Sequence, residues 1–326
     1  MDNNSSRNNT IAKNTFLLYL RSLFGLAVSL YTSRIVLNSL GIDDYGIYNV
    51  VGGMVAMFSL LSNSLSTAIS RYLTFELGKE NIDKLRTIFS SSVVIQTGLA
   101  LFILLLVEIF GICFLNLYIN IPAGRLEAAH WALQCSAITF AVGLISIPYN
   151  ATIIAHEKMV FFAYISILEQ VLKLIVAYLL YISPFDKLKI YAFLLVIVSI
   201  LIRAIYGMYC KRQFEECNGK IIIDKSFIRQ MVDFAGWNFL GAGSGVLMTQ
   251  GVNILMNLFF TVAVNAARGV ATQIEGVVMS FVNNFTTAIN PQITKSYASG
   301  DREYLFQLIH RGSKYSFFLV LFFALP

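Results

Sequence analysis

The sequence predicts an all-α, polytopic membrane protein: two six-helix lobes related by a parallel repeat, with the second lobe truncated. Three observations lead there. Apolar stretches long enough to cross a bilayer follow one another almost end to end. Of 326 residues, 57% are hydrophobic and 13% charged, against about 45–50% and about 25% in ordinary soluble domains. One part of the chain also resembles another part 220 residues later.

Met1–Lys13 reads as a polar, Asn-rich tail. The apolar run after it is too long for the core of a cleaved signal peptide. The expected spans are 14–38, 46–75, 85–117, 128–153, 159–183, 188–210, 227–258, 262–292 and a ninth starting near 304. Turn chemistry separates them, as at Gly41-Ile42-Asp43-Asp44, Gly78-Lys79-Glu80-Asn81, Ile121-Pro122-Ala123-Gly124, Ser183-Pro184-Phe185-Asp186 and Ser299-Gly300-Asp301. Tyr45, Tyr48, Tyr118, Trp131, Tyr149, Tyr181 and Tyr191 fall near span ends, as an interfacial aromatic belt requires. Alternate connections carry 15 Lys and Arg on one side and three on the other (Arg125, Lys187 and Lys189). The positive-inside rule then places the N-terminus in the cytoplasm.

The repeat aligns Ser66-Thr67-Ala68-Ile69-Ser70 with Thr286-Thr287-Ala288-Ile289-Asn290. A polar turn follows each copy, and then Leu85, Ile88 and Phe89 match Leu305, Leu308 and Ile309. Six spans separate the copies. Six is even, so the copies share an orientation and the repeat is parallel, about an axis along the membrane normal. The expected organisation is a six-helix lobe over 1–212, a cytoplasmic linker at 213–226 and the start of a second lobe over 227–326. A complete second lobe needs further spans, so the chain reads as a fragment.

Charges inside the spans are costly, and by default they mark a path for something polar. Six are basic (Arg21, Arg34, Arg71, Lys173, Arg203 and Arg268) and three acidic (Glu108, Glu169 and Glu275). Arg34, Arg71 and Arg203 lie close enough to span ends to snorkel into the headgroups. Arg21 lies about 12 Å in from Lys13 at the helical rise. Glu169 and Lys173 stand four apart on one face and read either as a self-compensating structural pair or as site residues. Arg268 and Glu275 are seven apart and share a face. A cavity lined by Arg21, Arg34, Arg71, Lys173, Arg268 and Glu275 has positive potential and suits an anionic cargo, because a guanidinium matches phosphate oxygens bidentately. Gly241, Gly243 and Gly245 interrupt the seventh span. Gly241 and Gly245 form a GxxxG pair, which serves either close helix packing or a hinge.

Connections are too short for a soluble catalytic domain, and the chain has no Walker motif, GxSxG or metal cluster. Neither an enzyme nor a cofactor or metal is expected. Cys113, Cys135, Cys210 and Cys217 lack CxxC spacing and read as packing residues.

Leu30-Tyr31-Thr32-Ser33-Arg34-Ile35-Val36-Leu37, Leu40-Gly41 and Asp44-Tyr45-Gly46-Ile47-Tyr48-Asn49-Val50-Val51-Gly52-Gly53 resemble bacterial polysaccharide exporters of the Wzx type. Ala68-Ile69-Ser70-Arg71-Tyr72-Leu73 and Glu76-Leu77-Gly78-Lys79 continue the likeness. These exporters belong to the multidrug/oligosaccharidyl-lipid/polysaccharide (MOP) superfamily. The resemblance implies two helical lobes in the cytoplasmic membrane that flip undecaprenyl-diphosphate-linked oligosaccharides for polysaccharide, O-antigen or lipopolysaccharide assembly. Its partners would be that lipid-linked oligosaccharide and membrane lipids, with Na⁺ or H⁺ as candidate coupling ions. By span, the cavity arginines implicated in related lipid II flippases correspond to Arg21 or Arg34, Arg71 and Arg268. The alternatives are a MATE-like Na⁺/H⁺-coupled drug antiporter of the same superfamily, and a membrane polysaccharide polymerase or ligase. The antiporter favours a buried acid in the first lobe, which the first two spans lack. The polymerase needs a large outer loop, which the chain lacks.

Overall fold

The computed structural model describes residues 2–111, 113, 115, 121, 124–219, 222–259 and 262–324. Only the backbone is described for 2–10, 56, 60–61, 235, 239, 242, 246–247, 249–251, 253–259, 262–270, 272–274, 277 and 323–324. Among the described residues the chain is helical throughout and has no strand. The long helices are α1 (Asp2–Leu40), α2 (Ile42–Ala56), α3 (Ser59–Gly78), α4 (Ile82–Leu106), α5 (Leu126–Ala155), α6 (Met159–Ile182), α7 (Lys187–Gln213), α8 (Lys225–Phe259), α9 (Val262–Ser299) and α10 (Arg302–Ala324). α4 runs on into a single π-turn at Val107–Gly111, and a short 3₁₀ turn at Glu215–Asn218 follows α7.

Stretches within α1 and α4–α7 are long and apolar enough to cross a membrane: Ile11–Leu40, Ile82–Gly111, Leu126–Ala155, Met159–Ile182 and Lys187–Gln213. Many large apolar side chains face outward, among them Leu20, Leu23, Phe24, Leu101, Phe102, Leu105, Phe193 and Ile197. Exposed apolar surface on that scale is stable when lipid covers it. The chain is a multi-pass membrane protein.

The second expected span departs from 46–75. It is two helices, α2 and α3, parted by a turn at Met57–Phe58. The turn is held by Met57 N–H donating to the Gly53 carbonyl and Phe58 N–H to that of Val55. Gly52 and Gly53 precede it, and glycine weakens a helix interior. The third expected span, 85–117, stays helical at its described residues through the π-turn and at 113 and 115; residues 112, 114, 116 and 117 lie outside the described residues.

α5 sits at the centre of the first half, where it packs against α3, α4 and α7. Its sequence explains this position. Ala128, Ala129, Ala132, Ala137, Ala141, Ala151 and Ala155 are all buried, and small residues let neighbouring backbones approach closely. At one end, Arg125 fastens three connections. It pairs with Asp44 in the first turn of α2, the Nε–Oδ1 distance being 2.7 Å, and its Nη1 lies 2.6 Å from Oδ2 of Asp186, the N-cap of α7. Burial disfavours charge on Asp186, but the Arg125 guanidinium together with the Lys189 and Leu188 backbone N–H groups outweighs it and holds the carboxyl below its ordinary value. Lys189 and Glu127 add a 2.6 Å pair beside this clamp.

The repeat read from the sequence recurs bond for bond. Asn81 Oδ1 caps α4 by accepting from Lys84 N–H at 3.1 Å, and Asp301 Oδ1 caps α10 by accepting from Tyr304 N–H at 3.2 Å. Asn81 N–H donates to the Glu76 carbonyl, and Asp301 N–H to that of Ser296. Glu80 and Gly300, the matching residues, both adopt left-handed backbone (φ 56° and 79°). Thr67 and Thr287 each donate to the carbonyl four residues back. The matched helices α3 and α9 cross at matched positions: a Cβ built on Gly78 would lie 2.8 Å from Ala298 Cβ and from the Lys295 carbonyl. Only glycine permits that approach without a shift.

Candidate functional site

Two helices carry a stripe of polar or small residues at helical spacing. On α5 these are Thr139, Gly143, Ser146 and Asn150; on α6 they are Ser166, Glu169 and Gln170. Spacings of three and four put each set on one face. The two stripes face each other across a partly open cavity of about 490 Å³, bordered on its other sides by Arg21, Ser22 and Gly25 of α1 and by Ser199, Ile202 and Tyr206 of α7. A lipid-facing helix cannot keep such a stripe cheaply. Burial against three others resolves the conflict.

Arg21 reaches into this pocket from α1. Its Nη1 donates to Ser166 Oγ at 3.4 Å, and its guanidinium lies 4.8 Å from the centre of the Phe162 ring. It is the one cation among the described residues that line the pocket. Glu169 lines the same pocket but is engaged along its own helix, where Lys173 Nζ donates to Oε1 at 2.6 Å. Asn150 Oδ1 is buried in the wall with no hydrogen-bond partner. An orphaned buried acceptor costs free energy, and a donor arriving in the pocket relieves it.

The six residues expected to line one cavity do not share this pocket. Arg21 lines it. Lys173 reaches it only through Glu169, so the expected structural pair exists as an ion pair at its edge. Arg34 is exposed near the far end of α1. Arg71 is exposed on α3, its guanidinium 5.1 Å from the Phe234 ring of α8. Glu275 is exposed on α9, and the side chain of Arg268 lies outside those described. Arg203 stacks 3.7 Å over the Tyr149 ring and folds against Gly207, where a Cβ would come within 2.8 Å of its Nη1. α8 continues as an unbroken helix through Gly241, Gly243 and Gly245. No described atom lies within 4 Å of a Cβ built at any of the three.

Sequence reading placed Arg21, Glu169 and Lys173 inside the membrane but missed the pocket they border. Ser146, Asn150, Ser166, Gln170 and Tyr206 went unremarked because each alone is unexceptional in a membrane helix. The signal was their period.

The MatE family pattern matches residues 20–179, which spans α1 to α6 and so includes most of this pocket. No curated protein matches. Several solved structures share the fold. A MATE in complex with MaD3S has a TM-score of 0.80 at 11% identity, covering 96% of this chain and 71% of that one. A variant of the Vibrio cholerae MATE transporter VcmN gives 0.75 at 15% identity, covering 95% and 70%. A MOP-superfamily transporter from Pyrococcus furiosus gives 0.74 at 13%, covering 95% and 70%; reverse polarity of its binding pocket suggests a different function for it. At these identities the likeness is one of fold: this chain shares the fold of the MATE transporters.

Proposed function

We propose that this chain is an alternating-access membrane transporter, not an enzyme, and that its first-lobe pocket receives the anionic part of its cargo. The observation that carries this is the state of the two charged groups lining the pocket. Glu169 is already paired with Lys173 at 2.6 Å, whereas among the described residues Arg21 hydrogen-bonds a hydroxyl, faces an aromatic ring and senses Glu169 without a direct ion pair. The local sum is positive, and a guanidinium in a partly dehydrated pocket favours a phosphate or pyrophosphate. The unpaired acceptor of Asn150 and the serines suit hydroxyl-rich groups. A lipid-linked oligosaccharide combines both chemistries: undecaprenyl diphosphate carrying a glycan, flipped across the cytoplasmic membrane with its tail left in lipid. In this proposal the N-terminus is cytoplasmic and the lobes divide at 213–226.

A second reading, a Na⁺- or H⁺-coupled drug antiporter, has its own support. Glu169 of α6 supplies the first-lobe acid that the first two spans lack. The fold comparisons also favour this reading over lipid-linked oligosaccharide transport, since several of the matching structures are described as MATE or multidrug resistance MATE transporters. Purified full chain in proteoliposomes separates the two. We expect translocation of a fluorescent undecaprenyl-diphosphate oligosaccharide, read by quenching at the outer leaflet. Efflux of a cationic dye driven by a Na⁺ or H⁺ gradient, with no glycolipid movement, would establish the antiporter instead.

A further inference from the structure

The turn between α5 and α6 does more than join two helices. Lys158 N–H donates to the Ile153 carbonyl and Glu157 N–H to that of Ile154, the paired bonds of a helix end whose last residue turns left-handed. That position ordinarily takes glycine. The same left-handed position is taken by Gly300 at the end of α9 and by Glu80 at the end of α3. Here Glu157 occupies it at φ 60°, and its side chain crosses to the other half of the molecule. Lys295 Nζ of α9 donates to Oε1 at 2.6 Å, and Gln292 Nε2, one turn earlier, donates to Oε2. Asn14 of α1 donates to the Glu157 carbonyl at 3.3 Å. Glu157 is 11% exposed and Lys295 24%. The pair stands beside the close crossing of Gly78 and Ala298, at the end that carries the basic connections. Away from that end, Met248 of α8 and Glu275 and Gly276 of α9 are exposed.

We propose that Glu157 is a latch: one carboxylate, held by Lys295 and Gln292, that keeps the two halves shut at the end read as cytoplasmic. The inference rests on the two-lobe transport reading above. Opening that end requires both oxygens to give up charge-assisted bonds in a poorly hydrated seam, so the latch biases the resting protein toward the opposite opening.

Glu157→Gly tests this without straining the turn, since glycine suits the left-handed backbone while removing the carboxylate. Spin labels on cysteines replacing the exposed Lys84 and Glu303, with exposed Cys113 changed to Ser, report the separation of the two halves by pulsed electron resonance on the full chain in lipid, without cargo. We expect a short distance in the parent protein and at least about a fivefold rise in the longer population in Glu157→Gly. Exchanging the charges, Glu157→Lys with Lys295→Glu, restores the short distance. Superimposable distributions for the parent and Glu157→Gly would overturn the latch. No cargo is present, so that result would leave the cargo reading standing, and a failed cargo assay would leave the latch intact.

Discussion

Arg21→Glu is expected to abolish transport of a diphosphate-linked cargo while the protein still inserts and folds. The substitution removes the one cation among the described residues that line the pocket and sets a second carboxylate beside Glu169. Losing a charge-assisted, bidentate contact in a partly desolvated site costs about 2–4 kcal/mol, or about 30- to 1,000-fold in rate or affinity, and like-charge repulsion adds to it. Folding should survive, because Arg21 makes one long hydrogen bond and one ring contact rather than a buried ion pair. Arg21→Lys keeps the charge but not the planar fork, and is expected to fall between, about tenfold down. Initial rates in proteoliposomes at matched protein density measure both. Undiminished transport by Arg21→Glu would remove the pocket from the mechanism.

The largest expected effect on stability is at Arg125. Arg125→Ala strips the counter-ion from Asp44 and Asp186 together and leaves two partly buried carboxylates side by side. Breaking such a network from one side costs about 3 kcal/mol. The dependence on pH should also change sign. In the parent protein Asp186 is held below its ordinary value of 3.8. A depressed carboxyl contributes stability that is fully present above its unfolded value and is lost as the pH falls through the folded one. The parent should therefore keep its melting temperature from neutral pH down to about 4 and lose it below. In Arg125→Ala the two carboxylates repel, so mild acidification from neutral pH toward 4 should raise the melting temperature. Thermal unfolding of the detergent-solubilised chain across that range measures it. A variant that melts with the parent at every pH would show the clamp to be incidental.

What the sequence made legible follows from where the physics is local. Turn residues mark the ends of α1, α3, α6 and α9, because Gly41, Gly78-Lys79-Glu80, Ser183-Pro184 and Ser299-Gly300 act on their own backbone. The repeat was legible from Ser66–Ser70 against Thr286–Asn290 and the polar turn after each; the structure adds that Asn81 and Asp301 in those turns cap the following helices at the same offset. The break at Met57–Phe58 was not legible: neither residue is a helix breaker, and a glycine pair alone does not end a membrane helix. The site was half legible. A charge in an apolar run stands out at once, so Arg21 and Glu169 were found. Whether they share a pocket depends on how α1 and α6 pack, and no single residue encodes that. Arg34 and Arg71 carried the same signal but lie on exposed faces. The break around Glu157 was legible, but its contact with the other half was not, since its partners Gln292 and Lys295 lie 135 and 138 residues away.

The central claim is that Arg21 reads an anionic group. Calorimetric titration of the purified chain tests it most directly, with a short-chain prenyl diphosphate sugar set against the same sugar on a neutral lipid. The account predicts at least about 30-fold tighter binding of the diphosphate, a preference that disappears in Arg21→Ala and weakens as salt rises. Equal affinity for the two ligands, or a diphosphate preference that survives Arg21→Ala, would contradict it.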